Sequence, residues 1–243
     1  MTTLPGRRLD PDARAGLRLT LLALAVLAGA ALVLPIAVLV RDQWAPLARL
    51  DTGVDRAAHS AVVAHSWLLY GAKALTQLGA PTLVQVAGVV IALMLLRAQR
   101  RRSALFLAVC IAGGYLLSTT GKLAVGRARP SFPDPVAHAN GASFPSGHAT
   151  GAATFWLALA VVVLPHLAHR RRRPLLLLAL LVGVVVAATR VLLGVHYPTD
   201  VVAGLLLGWG WVAACTAVFS AWRADEGRPA QPLEEGVDPE PVR

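Results

Sequence analysis

The chain has 243 residues, 56% of them hydrophobic and 15% charged, with a mean hydropathy of +0.60. That balance excludes an ordinary soluble domain and fits a polytopic membrane protein whose spans take roughly 20 residues each. The net charge of +10 does not point to nucleic acid, because the arginines lie between apolar segments and form no basic face.

An N-terminal segment, residues 1–16, carries Arg7, Arg8 and Arg14 and leads into an apolar run over 17–40. The run is too long for a cleaved signal core and no small-x-small site follows, so it is expected to remain as an anchor. Residues 56–78 read as helical, but they carry Arg56, His59, His65 and Lys73 among Trp67, Tyr70 and other apolar residues. An amphipathic helix lying at the membrane interface fits this stretch better than a span. Five further apolar runs follow as spans, over 81–96, 103–120, 149–167, 174–193 and 201–222. Cys110 and Cys215 fall inside such runs and read as small buried hydrophobes, not as a disulfide or metal pair. From residue 223 the chain turns rich in Pro and acids, the composition of a disordered tail.

Six spans place the N-terminal arginines, the "RAQRRR" loop at 97–102, the "RRRR" run at 170–173 and the tail on one side. The positive-inside rule makes that side the cytoplasm, with both termini in it. A seventh span at 56–78 would separate the arginine clusters.

The opposite side holds the chemistry. Lys122 precedes Arg129 by seven residues, so a helix running through both would set them two turns apart on one face, ended by Pro130. "FPSGHAT" opens the fourth span, with Ser146 as a natural N-cap and the amides of Gly147 and His148 at a helix N-terminus that favours an anion. "TRVLLGVHYPTD" places Arg190, His196 and Asp200 at intervals of six and four. Arg forks and a Lys point charge suit phosphate oxygens. Two histidines supply a nucleophile or base and an acid for the leaving oxygen. Asp200 can accept a proton from one nitrogen of His196 and so fix the tautomer that leaves the other free to attack. No carboxylate cluster of the magnesium-holding kind is legible on this side, so a site without metal is expected. Arg41, Arg49 and Lys73 read as interface anchors. His59, His65, His138, His166 and His169 read as surface or interfacial residues. A transporter-like lipid-phosphate binder is disfavoured, since such sites lie near the midplane on broken helices.

These residues resemble the motifs of the type 2 phosphatidic acid phosphatase (PAP2) family. Its Lys, six residues, Arg-Pro block reads Lys122 to Arg129-Pro130, and its Pro-Ser-Gly-His block reads Pro145 to His148. Its Ser-Arg, five residues, His, three residues, Asp block reads Thr189-Arg190, His196 and Asp200, with Thr189 where the family has Ser. The resemblance implies an all-α fold, a six-helix PAP2-type membrane bundle over residues 17–222 with its core motifs in 122–200, plus the interfacial helix on the outer side. It implies His196 as the nucleophile forming a phosphohistidine, oriented by Asp200, and His148 as the acid at the leaving oxygen. Lys122, Arg129, Ser146, Gly147 and Arg190 would bind the phosphate. No cofactor, nucleic acid or obligate protein partner is implied. The expected partner is a lipid phosphate within membrane lipid, with undecaprenyl diphosphate slightly ahead of phosphatidylglycerol phosphate, and phosphatidic acid or transfer to an alcohol as alternatives.

Overall fold

The computed structural model describes residue 31 and residues 33–225, apart from the side chains of 221–225. The 1–16 segment, most of the first apolar run and nearly all of the 223–243 tail therefore lie outside the described residues. Among the described residues the regular structure is entirely helical. Helix α1 covers 33–41, followed by α2 (Ala45–Ala64), α3 (Ser66–Leu75), α4 (Pro81–Arg97), α5 (Arg101–Val125), α6 (Gly147–Val163), α7 (His169–Leu192) and α8 (Pro198–Asp225).

Helix boundaries follow local chemistry. Pro81 and Pro198 occupy first-turn positions, where a missing N–H costs nothing. Gly126, at φ 62°, ends α5, and Gly194, at φ 63°, follows α7, both left-handed positions that glycine takes without Cβ strain. The 56–78 stretch is not one helix. Extended backbone at His65 (φ −130°, ψ 98°) separates α2 from α3, and a 3₁₀ turn (Thr76–Gly79) separates α3 from α4.

Helix α6 is the hub and packs on α5, α7 and α8. Small residues allow the closest approach. Gly204 and Gly208 of α8 face Ala149 and Ala153 of α6, in the small-xxx-small pattern of membrane helix pairs. At one end of the bundle, Phe106, Leu107 and Cys110 of α5, Ala158, Val161 and Val162 of α6, and Val212, Cys215 and Phe219 of α8 form an apolar cluster. Both cysteines are buried there as free thiols.

The outer faces are apolar too: Val86, Val89 and Met94 of α4 and Leu177, Leu178 and Leu181 of α7 are exposed. Exposed apolar faces on long helices mark lipid contact. Among the described residues four helices are long and apolar enough to cross a membrane, over Arg101–Val125, Gly147–His166, His169–Leu192 and Pro198–Ser220. The bent pair Ser66–Gly79 and Pro81–Arg97, at 40°, makes a fifth candidate. The chain is thus a multi-pass membrane protein. The fifth expected span starts earlier than its apolar run, at His169, because the arginine run itself is helical.

Candidate active site

Four helix ends meet at one end of the bundle: the last turns of α5 and α7 and the first turns of α6 and α8. They carry Lys122, Arg190, Gly147–His148 and Asp200 respectively. The arginine-rich ends of α4, α5 and α7 lie at the other end.

Lys122 donates from Nζ to the Ala142 carbonyl at 2.8 Å. Arg129 is not on α5, as a continuous helix through both cations would require, because Gly126 ends the helix first. Arg129 instead lies in the 126–146 loop and is held by carbonyls: Nε on Gly141 at 3.0 Å, Nη1 on Val195 at 2.8 Å, and Nη2 on Asn140 at 3.1 Å. Arg190 is buried and donates from Nη1 to the hydroxyl of Thr76 at 2.9 Å, while its Nε has no partner among the described residues. Among the described residues none of these three cations is paired with a carboxylate. Three such cations, each close enough to act on His148, favour a multiply charged anion.

The loop reaches α6 through a cis Phe144–Pro145 bond. Ser146 is the N-cap, its Oγ accepting from the Ala149 amide at 3.5 Å, and its own amide donates to the Asp200 carbonyl at 3.0 Å. That bond ties the N-termini of α6 and α8 together. His148, half-buried in the first turn, has Arg190, His196, Arg129 and Lys122 as its charged neighbours.

His196 is buried between α7 and α8. Its Nε2 is 3.0 Å from Arg129 Nη1, and its Nδ1 is 3.5 Å from Asp200 Oδ2 and 3.4 Å from Ser143 Oγ. An arginine can only donate, so Nε2 carries the lone pair and Nδ1 the proton. Burial pushes the imidazole down to about 4, with Asp200 opposing and Arg129 and Arg190 reinforcing the shift. The imidazole is therefore neutral at neutral pH, with the Nε2 lone pair toward Arg129.

The expected site residues all converge. Thr189 does not join them: its hydroxyl donates back into its own helix, to the Val186 carbonyl at 2.6 Å.

Several residues escaped the sequence reading. Asp51 and Asp55, on α2, are buried beside Asp200. Arg127 bonds Asp51 Oδ2 and Asp200 Oδ1, each at 2.7 Å, and stacks 4.0 Å from the centre of the Tyr197 ring. Ser143 donates to Asp200 Oδ2. So carboxylates do cluster here, but Asp51 and Asp200 are engaged by Arg127, Thr199 and Ser143. Among the described residues no group of three or more His, Cys, Asp or Glu could hold a metal ion. Against the lowering effect of burial, Asp200 and Asp51 hold the Arg127 guanidinium above its ordinary range. Burial, then Asp200 and Asp51, push the Asp55 carboxyl up to about 7, and Arg127 opposes. His59, expected at the surface, stacks on Phe132 with ring centres 3.9 Å apart.

Fold and site together define a multi-pass membrane protein with a basic, histidine-bearing cluster at one end of its bundle. The chain belongs to the PAP2 superfamily, which its residues 103–224 match. The lipid A 1-phosphatase of Rhizobium etli is 40% identical over 126 residues, 48% of this chain and 49% of that protein. Phosphatidylglycerophosphatase B of Bacillus subtilis is 29% identical over 160 residues, 65% of this chain and 77% of that protein. The match thus spans about half the length of the first relative and most of the second. A crystal structure of a transmembrane PAP2-type phosphatidylglycerolphosphate phosphatase from Bacillus subtilis superposes with a TM-score of 0.65 at 25% identity, covering 86% of this chain and 96% of that one.

Proposed function

We propose that this protein is a lipid phosphate phosphatase that works through a phosphohistidine at His196. The observation that carries the reading is the neutral, buried imidazole, with Nδ1 turned to Asp200 and Nε2 to Arg129, amid three cations without carboxylate partners. Nε2 attacks phosphorus, an N–P bond forms, and the bond from phosphorus to the lipid oxygen breaks. His148 protonates that oxygen. Water then attacks the phosphohistidine, His148 takes its proton, and phosphate leaves with His196 restored. Lys122, Arg129, Arg190 and the first-turn amides of α6 stabilise the charge on the equatorial oxygens throughout. These groups supply the positive charge that a metal ion would otherwise bring.

A lipid substrate is supported by a largely apolar pocket between α4, α5 and α6. Lys122 and Gly147 stand at its polar end, and Val84, Ile111 and Phe155 line the apolar remainder. The relatives named for phosphatidylglycerol phosphate and for lipid A move the preferred substrate from the polyprenyl diphosphate of the sequence reading to phosphatidylglycerol phosphate. The arginine-rich helix ends support a cytoplasmic face opposite the site, with six spans, both termini in the cytoplasm and the pocket outside.

The test is phosphate release by purified protein in detergent with EDTA, on phosphatidylglycerol phosphate, undecaprenyl diphosphate and phosphatidic acid. Turnover of one or more, lost in His196→Ala, supports the reading. Full activity in His196→Ala, or abolition by EDTA, overturns it.

A further inference from the structure

Asp200 has no freedom in this structure, and His196 explains only part of that. Its Oδ2 faces His196 and accepts from Ser143 and from the Tyr197 amide at 2.9 Å, while its Oδ1 accepts from Arg127 Nη1 at 2.7 Å. The same Nη1 donates to Thr199 Oγ1 at 2.7 Å, and Nη2 donates to Asp51 Oδ2 at 2.7 Å. Asp51 comes from α2, remote in sequence, yet its Oδ1 accepts the Thr199 amide at 3.0 Å and its Oδ2 the Thr199 hydroxyl at 2.6 Å. It thereby caps the first turn of α8, the turn that carries Asp200. Asp51 and Asp200 are both fully buried.

Charge decides why two carboxylates flank one guanidinium. A buried Asp200 without a counter-ion would be costly. An arginine bound to Asp200 alone, however, would draw off the negative charge that holds the His196 Nδ1 proton. A second carboxylate on the far side of the guanidinium cancels that excess. Asp200 is then fixed in place and still presents a full negative charge to the imidazole.

We infer that Asp51 and Arg127 form a positioning bridge that fixes Asp200 and balances its charge, so that Asp200 can hold and polarise His196. The inference rests on the assignment of His196 as nucleophile. Neither residue is among the charged groups acting on His148 or Lys122, so both act through Asp200. The bridge also makes α2 part of the catalytic scaffold.

Opposite charges on one bridge give a readout that a purely structural role would not. The charged or titratable groups around His196 are Asp200 on α8, Arg129 and Arg127 in the 126–146 loop, Arg190 on α7, His148 on α6, Lys122 on α5, Asp51 and Asp55 on α2, and Tyr197 beside it. Neutralising Arg127 leaves the surroundings of His196 more negative, and neutralising Asp51 leaves them more positive.

The experiment is the pH dependence of kcat/KM for phosphate release, in detergent, by the whole protein, Arg127→Gln, Asp51→Asn and the double variant. The expected result is a kcat lower by roughly 10–100-fold in each single variant, the usual cost of removing an outer partner of a functional group, with little change in KM. The acid limb should move up in pH in Arg127→Gln and down in Asp51→Asn, by about one unit. In the double variant it should return toward the native position. Arg127→Lys keeps the charge but not the fork, and should lose kcat with the limb unmoved. It also serves as the second arm if Arg127→Gln does not fold, alongside Asp51→Asn alone. Limbs that shift in the same direction, or stay fixed, in folded Arg127→Gln and Asp51→Asn overturn the bridge, as does a moved limb in folded Arg127→Lys. Native enzyme quenched in alkali after mixing with ³²P-labelled substrate should carry label on His196. Its absence would overturn the nucleophile assignment itself, and the inference with it.

Discussion

Arg129 donates from Nη1 to the Nε2 of His196 at 3.0 Å, so this donor faces the lone pair proposed to attack phosphorus. The same nitrogen is anchored on the Val195 carbonyl at 2.8 Å, and the rest of the guanidinium on the 140–142 backbone. An entering phosphate oxygen would take over the Nη1 hydrogen and free the imidazole at the moment the anion arrives. Arg129→Ala should lower kcat/KM by roughly 10²–10³-fold, the cost of losing one strong donor to a developing anion. Arg129→Lys should recover only a small part, because a point charge cannot hold several carbonyls and the phosphate together. Steady-state phosphate release checks both, and a loss below tenfold in the alanine variant would remove Arg129 from the phosphate site.

His148 stands at the first turn of α6 among Arg190, Arg129 and Lys122, with no hydrogen-bond partner among the described residues. That freedom suits a group which must hand a proton to a leaving oxygen. His148→Ala should lose roughly 10²–10⁴ in kcat, the range for a general acid. The loss should shrink for a substrate with a good leaving group, such as an aryl phosphate, which needs no proton. Equal losses on both substrates would show that His148 acts on something other than the leaving oxygen.

His196 and Asp55 pull the pH dependence of stability in opposite directions. His196 is lowered from 6.5 to about 4 on folding, so between those values the unfolded chain binds the extra proton and stability rises with pH. Asp55 is raised from 3.8 to about 7, so across that window the folded chain binds the extra proton and stability falls as pH rises. The two slopes offset one another between about 4 and 6.5. Asp55→Asn removes the falling one. The Tm of that variant in detergent should climb from pH 4 to 6.5 more steeply than that of the native protein. Parallel profiles would mean that Asp55 titrates normally.

The motif positions were legible because they are set by short spacings in one stretch of chain: the N-cap Ser146 and the His196–Asp200 pair one turn apart. Their scaffold was not. Arg127 bonds residues 73 and 76 positions away, and Asp51 reaches Thr199 across 148. No local pattern reports such partners, and Asp51 lies far outside the motif-bearing 122–200 stretch. The helix expected to carry both Lys122 and Arg129 failed for a reason the sequence did contain, since Gly126 offers a left-handed stop before Pro130 acts. The break at His65 had no such marker.

Gly204 is where packing and chemistry meet. A Cβ there would lie 2.8 Å from the Ser146 carbonyl and 3.0 Å from the Ala149 Cβ, both on the first turn of α6. The contact is backbone, so no side-chain rotation relieves it, and α8 must move away from α6. That movement stretches the Ser146 amide to Asp200 carbonyl bond and draws Asp200 from His196. Gly204→Ala should destabilise by roughly 1–3 kcal/mol, as overpacking of a close-packed site does, and should lower kcat well below the native value while the protein is still folded. Gly53, on α2 with nothing within 4 Å of the equivalent Cβ, is the matched control. Gly53→Ala should stabilise its helix by about 0.5–1 kcal/mol and leave turnover unchanged. Thermal unfolding and phosphate release on the same detergent preparations separate the two effects. Full activity in a folded Gly204→Ala protein would show that the α6–α8 spacing does not set the position of Asp200.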